Sequence, residues 1–332
     1  MATKWRIVIG TLCVLCIAMS CAVVSAFSSV GNTESPLIID IRPETTTDDI
    51  REATGGGITF RALCRMMRYD TPVTGHYVIQ PGTSWLHLVR MLKSHSQSPV
   101  RITIPSVRTM DRLASFLSER LMADSADFAA VFCDSTLLAQ MGYNKYTLPA
   151  LFVPNTYELW WDTSVTDFMH RMQHEHDAFW SDTRLAACQR LHMTPNEVTT
   201  LASIIDEETA ANAEKPMVAG MYLNRLRQGM PLQADPTVKY AVGDFSLRRI
   251  LHGHLAVESP YNTYIHEGLP PGPIRIATVA SIDAVLHAAT HPYLYMCANA
   301  DFSGTHVFAA TYSEHLRNAR LYQRALNTRG IH

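Results

Sequence analysis

Three consecutive acidic residues, Asp206, Glu207 and Glu208, stand directly after the apolar run LASII. A carboxyl group held in an apolar groove keeps its proton near neutral pH and can then serve as a general acid. Solvation, or an ion pair with Arg225 or Arg227, would instead give the same acids a structural role. The first question is therefore which carboxyl group the fold turns inward.

The residues ahead of the acidic cluster have the pattern of a helix that begins after Thr194. Thr194 can cap it, Pro195 suits its first position, and Glu197 follows three residues after the cap. Apolar residues recur by three and four and predict one buried face, at Val198, Leu201, Ala202 and Ile205. At about 100° per residue, Glu208 falls on the inward edge of that face, Asp206 lies about 100° off it, and Glu207 points outward.

Composition excludes several classes of protein. A chain of 332 residues is long enough for two domains and a sizeable core. A formal net charge of −2, with no run rich in Lys or Arg, excludes nucleic acid as the main partner. Beyond the N-terminal apolar segment the cysteines are scattered and lack metal-ligand spacing, so we expect no metal and no cofactor. Most of them are expected to be buried thiols, with a disulfide among them left open: Cys64, Cys133, Cys188 and Cys297.

The N-terminal segment has the composition of a membrane anchor. Lys4 and Arg6 precede residues 7–27, which carry no charge and are long enough to cross a bilayer as a helix. The positive flank predicts a cytoplasmic tail over residues 1–6 and places the rest of the chain outside the cytoplasm. Two alternatives stay open: removal as a signal peptide after the small residues around Ala26, and lipidation at Cys21.

The part of the chain before residue 148 divides into two segments. Residues 28–74 are expected to be a linker and N-terminal segment, with a linker or edge strand at Leu37–Ile39 and helical spacing over Ile58–Arg68. Residues 75–147 alternate strand and helix signals, at Tyr77–Ile79, Thr83–Leu92, Val100–Ile104 and Thr109–Leu121. This order resembles a LysM-like glycan-binding unit; the alternative is an α/β packing module that touches no sugar.

An aromatic cluster follows, at Tyr157, Trp160 and Trp161. Aromatic faces stack on sugar rings as well as on one another, so the cluster predicts either glycan contact or core packing. The helical spacing of Val165–Leu191 then predicts one helix that leads to the Thr194 cap.

Several unusual motifs occur in order after residue 200: ASIIDEE (202–208), NRL (224–226), LQADPT (232–237), SPYNTY (259–264) and GLPPGPI (268–274). In order and spacing the chain resembles the YceG-like (MltG) family of endolytic murein transglycosylases. Many relatives read E-K-E where this chain reads Asp206-Glu207-Glu208. An Asp in place of a catalytic Glu would stand a methylene short, so the resemblance agrees with the helical spacing in favouring Glu208.

The resemblance implies an α+β fold whose catalytic domain occupies residues 148–332, behind a transmembrane helix and the LysM-like part. It implies non-hydrolytic cleavage of the β-1,4 bond from N-acetylmuramic acid to N-acetylglucosamine in peptidoglycan, leaving 1,6-anhydro ends, with Glu208 as the catalytic residue. The catalytic domain would lie on the periplasmic side of the bacterial inner (cytoplasmic) membrane. There it would terminate nascent glycan strands, beside peptidoglycan synthases.

The same motifs supply candidate substrate-binding residues, each of which could instead be structural: Asn224, Gln233, Asp235, Tyr261 and Asn262. Asp235 precedes a proline, which favours bracing of its loop. His306 is expected either at the site or in packing. Three rival functions stay open: a hydrolase that uses Glu208 as acid and Asp235 as base, a catalytically inactive cell-wall-binding scaffold, and an adaptor that recruits peptidoglycan synthases, against which the intact acidic motif counts.

Overall fold

The computed structural model of the chain describes residues 2–31, 34–247 and 249–329. Met1 of the expected tail and residues 32–33 of the expected linker lie outside the described residues. The chain divides into two compact units. The first takes Met1–Ile102, Glu119–Ala123 and Tyr157–Ser164, and the second takes Thr103–Ser118, Asp124–Thr156 and Val165–His332. The domain boundaries expected after residues 74 and 147 stay predictions.

The fold is α+β, as expected, with helices carrying most of the described structure and short antiparallel strand pairs between them. The first unit contains α1 (Ala2–Phe27), β1 (Leu37–Ile41), α2 (Thr47–Thr54), α3 (Ile58–Met67), β2 (Gly75–Ile79), α4 (Trp85–Lys93), and all but one residue each of β3 (Val100–Thr103) and β4 (Thr156–Leu159). The second contains α5 (Met110–Ser118), α6 (Ser125–Phe132), α7 (Ser135–Gln140), a 3-10 turn (Leu148–Leu151), α8 (Val165–Phe179), α9 (Asp182–Leu191), α10 (Pro195–Glu208), α11 (Lys215–Arg227), α12 (Asp235–Val242), α13 (His252–Leu255), α14 (Val279–Leu286), β5 (Tyr295–Ala298), β6 (His306–Ala309) and α15 (Tyr312–Thr328).

Helix α1 contains the predicted anchor. The segment Lys4–Phe27 has 24 residues, and its most apolar window of 18 residues has a mean hydropathy of 2.7 and is not buried inside the protein. Length and composition therefore allow it to cross a membrane. A signal sequence at the N-terminus would pass the same test, so retention of the helix is taken up below as a proposal.

The predicted strand–turn–helix of the first unit is present at β2 and α4, and Ser84 caps α4 by accepting a hydrogen bond from the His87 N–H at 3.2 Å. Strand β2 pairs with β1, with Leu37 opposite Ile79, whereas β3 pairs with β4. The two strands of the segment thus belong to different sheets. Its resemblance to a LysM-like glycan-binding unit stays a prediction.

The aromatic cluster is mostly core. Tyr157 and Trp161 are buried, and the Arg42 guanidinium lies 5.3 Å from the centre of the Trp161 ring. Trp160 is half exposed and remains open to contact from outside. For two of the three rings, packing is therefore the observed role.

The single helix predicted over Val165–Leu191 is wrong in one respect, because α8 ends at Phe179 and α9 begins at Asp182. Trp180 is buried at this break, and Ser181 precedes α9 in an extended conformation. Apolar spacing continues across the break, which is why the pattern alone does not reveal it.

Helix α10 begins as predicted. The Glu197 N–H donates to the Thr194 hydroxyl at 3.3 Å, and the Glu197 carboxylate accepts the Thr194 N–H at 2.7 Å. The expectation of a single buried face is wrong, since every residue of Val198–Ile205 is buried. The reason is packing on all sides, by α9, α11, α12, α14 and the 3-10 turn.

Asp206 fixes α10 to two other helices. Its carboxylate forms an ion pair with Lys215 of α11 at 2.9 Å, and the two side chains are only 4% and 6% exposed. It also accepts hydrogen bonds from the Thr278 N–H, at 2.7 Å, and the Ser281 hydroxyl, at 2.6 Å, at the start of α14. Burial alone would raise the pKa of Asp206, but these hydrogen bonds outweigh it and the pKa is lowered.

Glu207 was expected to point away from the core, and it does not reach bulk solvent. Its carboxylate accepts two hydrogen bonds from Arg108, at 2.8 and 2.7 Å, and one from Arg275 at 2.9 Å. The side chain is only 12% exposed. Both arginines come from segments far away in the sequence, so helical spacing could not reveal them.

Helix α11 lies unusually close to the loop ahead of β5. The Ala289 N–H donates to the Pro216 carbonyl at 3.0 Å, and the His291 ring nitrogen Nε2 lies 2.9 Å from the Met217 carbonyl. A Cβ atom on Gly220 would overlap the Ala289 carbonyl oxygen and lie 2.6 Å from His291 Nε2. Only a glycine allows this approach.

Gly220→Ala should therefore destabilise the protein, although alanine is the better helix former by about 1 kcal/mol. The added methyl must displace backbone, which costs about 1–3 kcal/mol and lowers the thermal midpoint. The matched control is Gly253→Ala in α13, where a Cβ meets nothing within 4 Å. Circular dichroism melts of both variants decide the point, and an equal or raised midpoint for Gly220→Ala would contradict it.

Asp206→Asn should lower the free energy of unfolding by about 3–5 kcal/mol, because it leaves the Lys215 ammonium buried without its counter-charge. The control is Asp283→Asn, which breaks the more exposed pair with Arg184 and should cost no more than about 1 kcal/mol. Urea unfolding of both variants measures the difference. Equal losses would show that the Asp206 pair does not hold α10.

Candidate active site

Glu208 is the last residue of α10, where the helix dipole disfavours a negative charge. The Tyr222 hydroxyl, on α11, donates a hydrogen bond to Glu208 Oε1 at 2.6 Å. The pKa of Glu208 is raised to about 6 in all: burial is the main cause, the Tyr222 hydrogen bond and His306 partly offset it, and the charges of Asp235 and Glu207 add to the rise. About half of these carboxyl groups therefore keep their proton at pH 6, and about a tenth do at pH 7.

The structural alternative for Glu208, an ion pair with Arg225 or Arg227, is wrong for the described part of the chain. The Arg225 guanidinium donates to the carbonyl oxygens of Leu294, at 2.6 Å, and Leu232, at 2.8 Å. Arg227 donates to the Asn224 side-chain oxygen at 3.3 Å. Because these cations are engaged elsewhere, the proton on Glu208 is not displaced by a paired arginine.

Glu208 opens into a cavity of about 290 Å³ inside the second unit. Its wall is formed by Glu208, Met221, Tyr222, Arg225, Leu232, Gln233, Asp235, Tyr264, Met296, Cys297, Ala298, His306 and His315. The predicted residues Glu208, Gln233 and Asp235 thus lie around one space. Carboxyl, amide, hydroxyl and imidazole groups converge there, as a polar ligand such as a sugar requires.

A second cavity, of about 770 Å³, also contains Glu208 and Asp235 in its wall. Its other lining residues are Glu207, Pro236, Lys239, Arg249, Ile250, Tyr322, Gln323 and Leu326. Glu208 and Asp235 therefore line both cavities. Such an arrangement suits a ligand that is long enough to occupy both.

Asp235 begins α12 and accepts a hydrogen bond from the Tyr264 hydroxyl at 2.6 Å. The loop ahead of it is braced from the same neighbouring segment, because the Gln233 N–H donates to the Thr263 carbonyl at 3.0 Å. Gln233 has φ +50°, a left-handed conformation that is uncommon for a residue other than glycine and is held here by its surroundings. Asp235 thus braces the loop, as its sequence context favoured, and also faces the cavity.

His306, at the start of β6, lines the cavity and is held by Glu214 from two directions. Its backbone N–H donates to Glu214 Oε1 at 2.5 Å, and its Nδ1 lies 3.0 Å from Glu214 Oε2. With the proton on Nδ1 in that contact, Nε2 is the ring atom left for other partners. The site alternative for His306 is the one its position supports.

Three of the expected substrate-binding residues lie outside the walls of both cavities: Asn224, Tyr261 and Asn262. The Asn224 amide donates to the carbonyls of His291, at 2.7 Å, and Tyr293, at 3.1 Å, which holds the loop ahead of β5. The Asn262 amide donates to the carbonyls of Leu255 and Val257, both at 2.9 Å. Tyr261 is buried with its ring centre 4.6 Å from that of Tyr240. Their contacts support the cavity walls.

Two tyrosines next to the carboxyl groups, Tyr222 and Tyr264, were not among the sequence candidates. A signal existed for Tyr222, because it stands on the apolar face of α11 with Val218 and Met221, and a buried tyrosine hydroxyl needs a hydrogen-bond partner. Tyr264 is the last residue of the SPYNTY motif, in which Tyr261 and Asn262 were the predicted substrate-binding residues.

Comparison with known proteins assigns the family. The chain matches the YceG-like family over residues 42–321. An endolytic murein transglycosylase of Bacillus subtilis (strain 168) is 29% identical over 264 residues, which cover 75% of this chain and 72% of that protein. An endolytic murein transglycosylase of Streptococcus pneumoniae serotype 2 is 26% identical over 294 residues, or 79% of this chain. The chain spans only about half of that longer relative, 53% of its length.

A solved structure shares the fold. The crystal structure of a putative YceG-like protein from Listeria monocytogenes superposes with a TM-score of 0.57 at 25% identity, covering 86% of this chain and 99% of the other. Together with the match across most of the chain, this similarity shows that the protein belongs to the YceG-like family.

Proposed function

We propose that this protein is a membrane-anchored murein lytic transglycosylase that cuts peptidoglycan glycan strands internally, with Glu208 as its catalytic acid and base. The observation that carries the proposal is one carboxyl group with a pKa of about 6 at the junction of two cavities. The activity in the names of the Bacillus and Streptococcus relatives supports the choice of substrate.

The reaction needs only one carboxyl group. Glu208 donates its proton to the oxygen that links C1 of N-acetylmuramic acid to C4 of N-acetylglucosamine, and the C1–O bond breaks through an oxocarbenium-like transition state. The C6 hydroxyl of the muramic acid then attacks C1 and yields its proton to the Glu208 carboxylate. A 1,6-anhydro ring forms, no water is consumed, and Glu208 ends protonated as it began.

The neighbours of Glu208 suit both of its protonation states. Asp235 and burial favour the acid form that starts the reaction, whereas Tyr222 and His306 favour the carboxylate that forms on proton transfer. Because opposing influences leave the pKa near the working pH, the group can both give and regain a proton without a large energetic penalty. In this account Asp235 acts on Glu208 through its charge, and Gln233 and Asp235 contact the sugar.

A hydrolase is the second candidate, since Asp235 and Glu208 border the same two cavities. In that reaction Asp235 would activate a water molecule, and the product would carry a reducing end. The hydrogen bond from Tyr264 to Asp235 occupies one carboxylate oxygen, which favours a supporting role over that of a base.

The proposed location is supported by helix α1. We place α1 in the bacterial cytoplasmic membrane as a retained single span, with Lys4 and Arg6 inside and the catalytic residues outside. Nascent glycan strands, which are made at the outer face of that membrane, would be the substrate. A role in terminating strand elongation, and an association with peptidoglycan synthases, rest on the family resemblance.

Glu208→Gln should remove the anhydro product, with a loss of activity of about 10²–10⁴-fold, because the amide cannot donate the proton. Wild-type and variant protein are incubated with purified glycan strands and the products are weighed by mass spectrometry. Glu258→Gln, at an exposed position, is the matched control and should keep full activity.

Asp235→Asn separates the two candidate reactions in the same assay. The lyase account expects anhydro ends from both wild type and Asp235→Asn, at a lower rate in the variant. Reducing ends, heavier by one water, that disappear in Asp235→Asn would establish the hydrolase instead.

The rate of the lyase should fall as pH rises through about 6, because kcat/KM depends on the protonated fraction of Glu208 in the free enzyme. The Tyr222 hydrogen bond lowers the pKa of Glu208, so Tyr222→Phe raises it and moves the descending limb upward by about one pH unit. Tyr312→Phe, at an exposed tyrosine, is the control and leaves the profile unchanged. A limb that stays in place or moves to lower pH would contradict the assignment.

A further inference from the structure

Helix α3 of the first unit presents an apolar stripe to the outside. Ile58, Ala62 and Met66 follow one another at intervals of four residues, and all three are exposed. Ile58 is 87% exposed and Met66 69% exposed, whereas Phe60 and Leu63 on the opposite side are buried in the core of the unit. Exposed apolar residues that are aligned on one helix face mark a contact surface rather than the ordinary scatter of surface side chains.

The apolar stripe of α3 and the end of the predicted anchor helix α1 line the same cavity. An apolar cavity of about 590 Å³ has one wall from α3, including Ile58 and Met66, and another from the end of α1, including Met19 and Val23. The hydroxyls of Ser25 and Thr59 hydrogen-bond across the two helices. The Trp85 N–H of α4 also donates to the Ser28 carbonyl at 3.2 Å, which holds the end of α1 in place.

The length of α1 gives the depth in the bilayer at which α3 would lie. At a rise of 1.5 Å per residue, residues 7–27 span about 31 Å, close to the thickness of the hydrocarbon core. With Lys4 and Arg6 at the cytoplasmic face, residues 19–27 occupy about the last 12 Å, which is the outer leaflet. A side chain of α3 that shares a cavity with Met19 therefore lies beside the acyl chains of that leaflet.

Positive charges border the stripe. Arg61, Arg65 and Arg68 follow at intervals of four and three residues, and all are exposed. Arg61 contacts Asp48 at 3.4 Å in a pair exposed on both sides, while Arg65 and Arg68 form no ion pair with a described residue. Long basic side chains beside a buried apolar stripe reach outward to phosphate groups, and a helix with this division of faces lies in the membrane interface.

We infer that α3 is a second membrane contact: Ile58, Ala62 and Met66 lie among the acyl chains of the outer leaflet, and Arg65 and Arg68 bind anionic phospholipid headgroups. The inference rests on the proposed retention of α1 as a transmembrane span. It goes further by making the first unit a peripheral membrane module that lies directly on the bilayer rather than at the end of a free tether.

The test is photo-crosslinking of the full chain in vesicles that contain radiolabelled phosphatidylglycerol. A benzophenone amino acid replaces Ile58 or Met66, and the matched control replaces Ile38, which is 57% exposed on β1 and lies outside the cavity. A probe at Val14, in the middle of α1, reports on the anchor itself. We expect lipid adducts at Val14, Ile58 and Met66 and background labelling at Ile38.

The labelling pattern distinguishes failure of the α3 membrane contact from failure of the α1 anchor. Adducts at Val14 without adducts at Ile58 and Met66 overturn the contact and leave the anchor intact. No adduct at Val14 overturns the anchor and the contact together. Equal labelling at Ile38 and Met66 shows contact without specificity and also overturns the inference.

Binding of Arg65 and Arg68 to lipid headgroups is tested by a separate experiment. In the protein that carries the probe at Met66, Arg65→Gln with Arg68→Gln should weaken insertion of α3 into phosphatidylglycerol vesicles about five-fold per arginine, seen as a lower adduct yield. Arg101→Gln, at an exposed arginine of β3, is the control for loss of a single surface charge elsewhere and leaves the yield unchanged. The same loss should occur in vesicles of phosphatidylcholine labelled with a trace of phosphatidylglycerol. An unchanged yield in the arginine variant would overturn headgroup binding.

Discussion

The site depends on the separation of three neighbouring carboxyl groups at the end of α10. Their charges repel one another, and the helix dipole adds to the cost of ionising all three. The fold resolves this by giving Asp206 a lysine and Glu207 two arginines, while Glu208 accepts a hydrogen bond from the neutral hydroxyl of Tyr222 and forms no ion pair with a described residue. Two of the carboxylates are thereby paired with cations, and the third is the one whose pKa is raised.

The ion pairs also fix the position of that carboxyl group. Asp206 ties α10 to α11 and α14, and α11 supplies Tyr222, so the carboxyl group and its hydrogen-bond donor are positioned by the same buried contact. The close approach at Gly220 then holds the loop ahead of β5, and Met296, Cys297 and Ala298 of β5 form part of the cavity wall. The position of Glu208 thus depends on packing between helices rather than on a flexible loop.

The features proposed to serve catalysis and membrane attachment lie in different units of the chain. The second unit carries Glu208 and both cavities that it borders, whereas the first unit carries α1 and the apolar stripe of α3. If the stripe lies in the outer leaflet, the first unit has a defined orientation on the bilayer. A glycan strand made at that surface would then meet an enzyme that is held at the site of synthesis.

A large part of this could be predicted from local pattern. The capping box of Thr194 and Glu197, the anchor-like composition of α1 and the α+β class all follow from short-range chemistry, which acts between residues close in sequence. The order of motifs indicated the family and, with helical spacing, pointed to Glu208. Gln233 and Asp235 were expected near it and do lie there.

The partners of each acid were decided only in three dimensions. Helical spacing ranks side chains by direction, but it cannot show that Arg275 and Arg108 would cover Glu207, since they are separated from it by 68 and 99 positions. Nor could helical spacing show that the side-chain amides of Asn224 and Asn262 would donate hydrogen bonds to backbone carbonyls. Sequence alone determined which residues could hold a proton. The tertiary structure decided that the pKa is raised at Glu208 and lowered at Asp206, because pKa depends on burial and on charges brought together from distant parts of the chain.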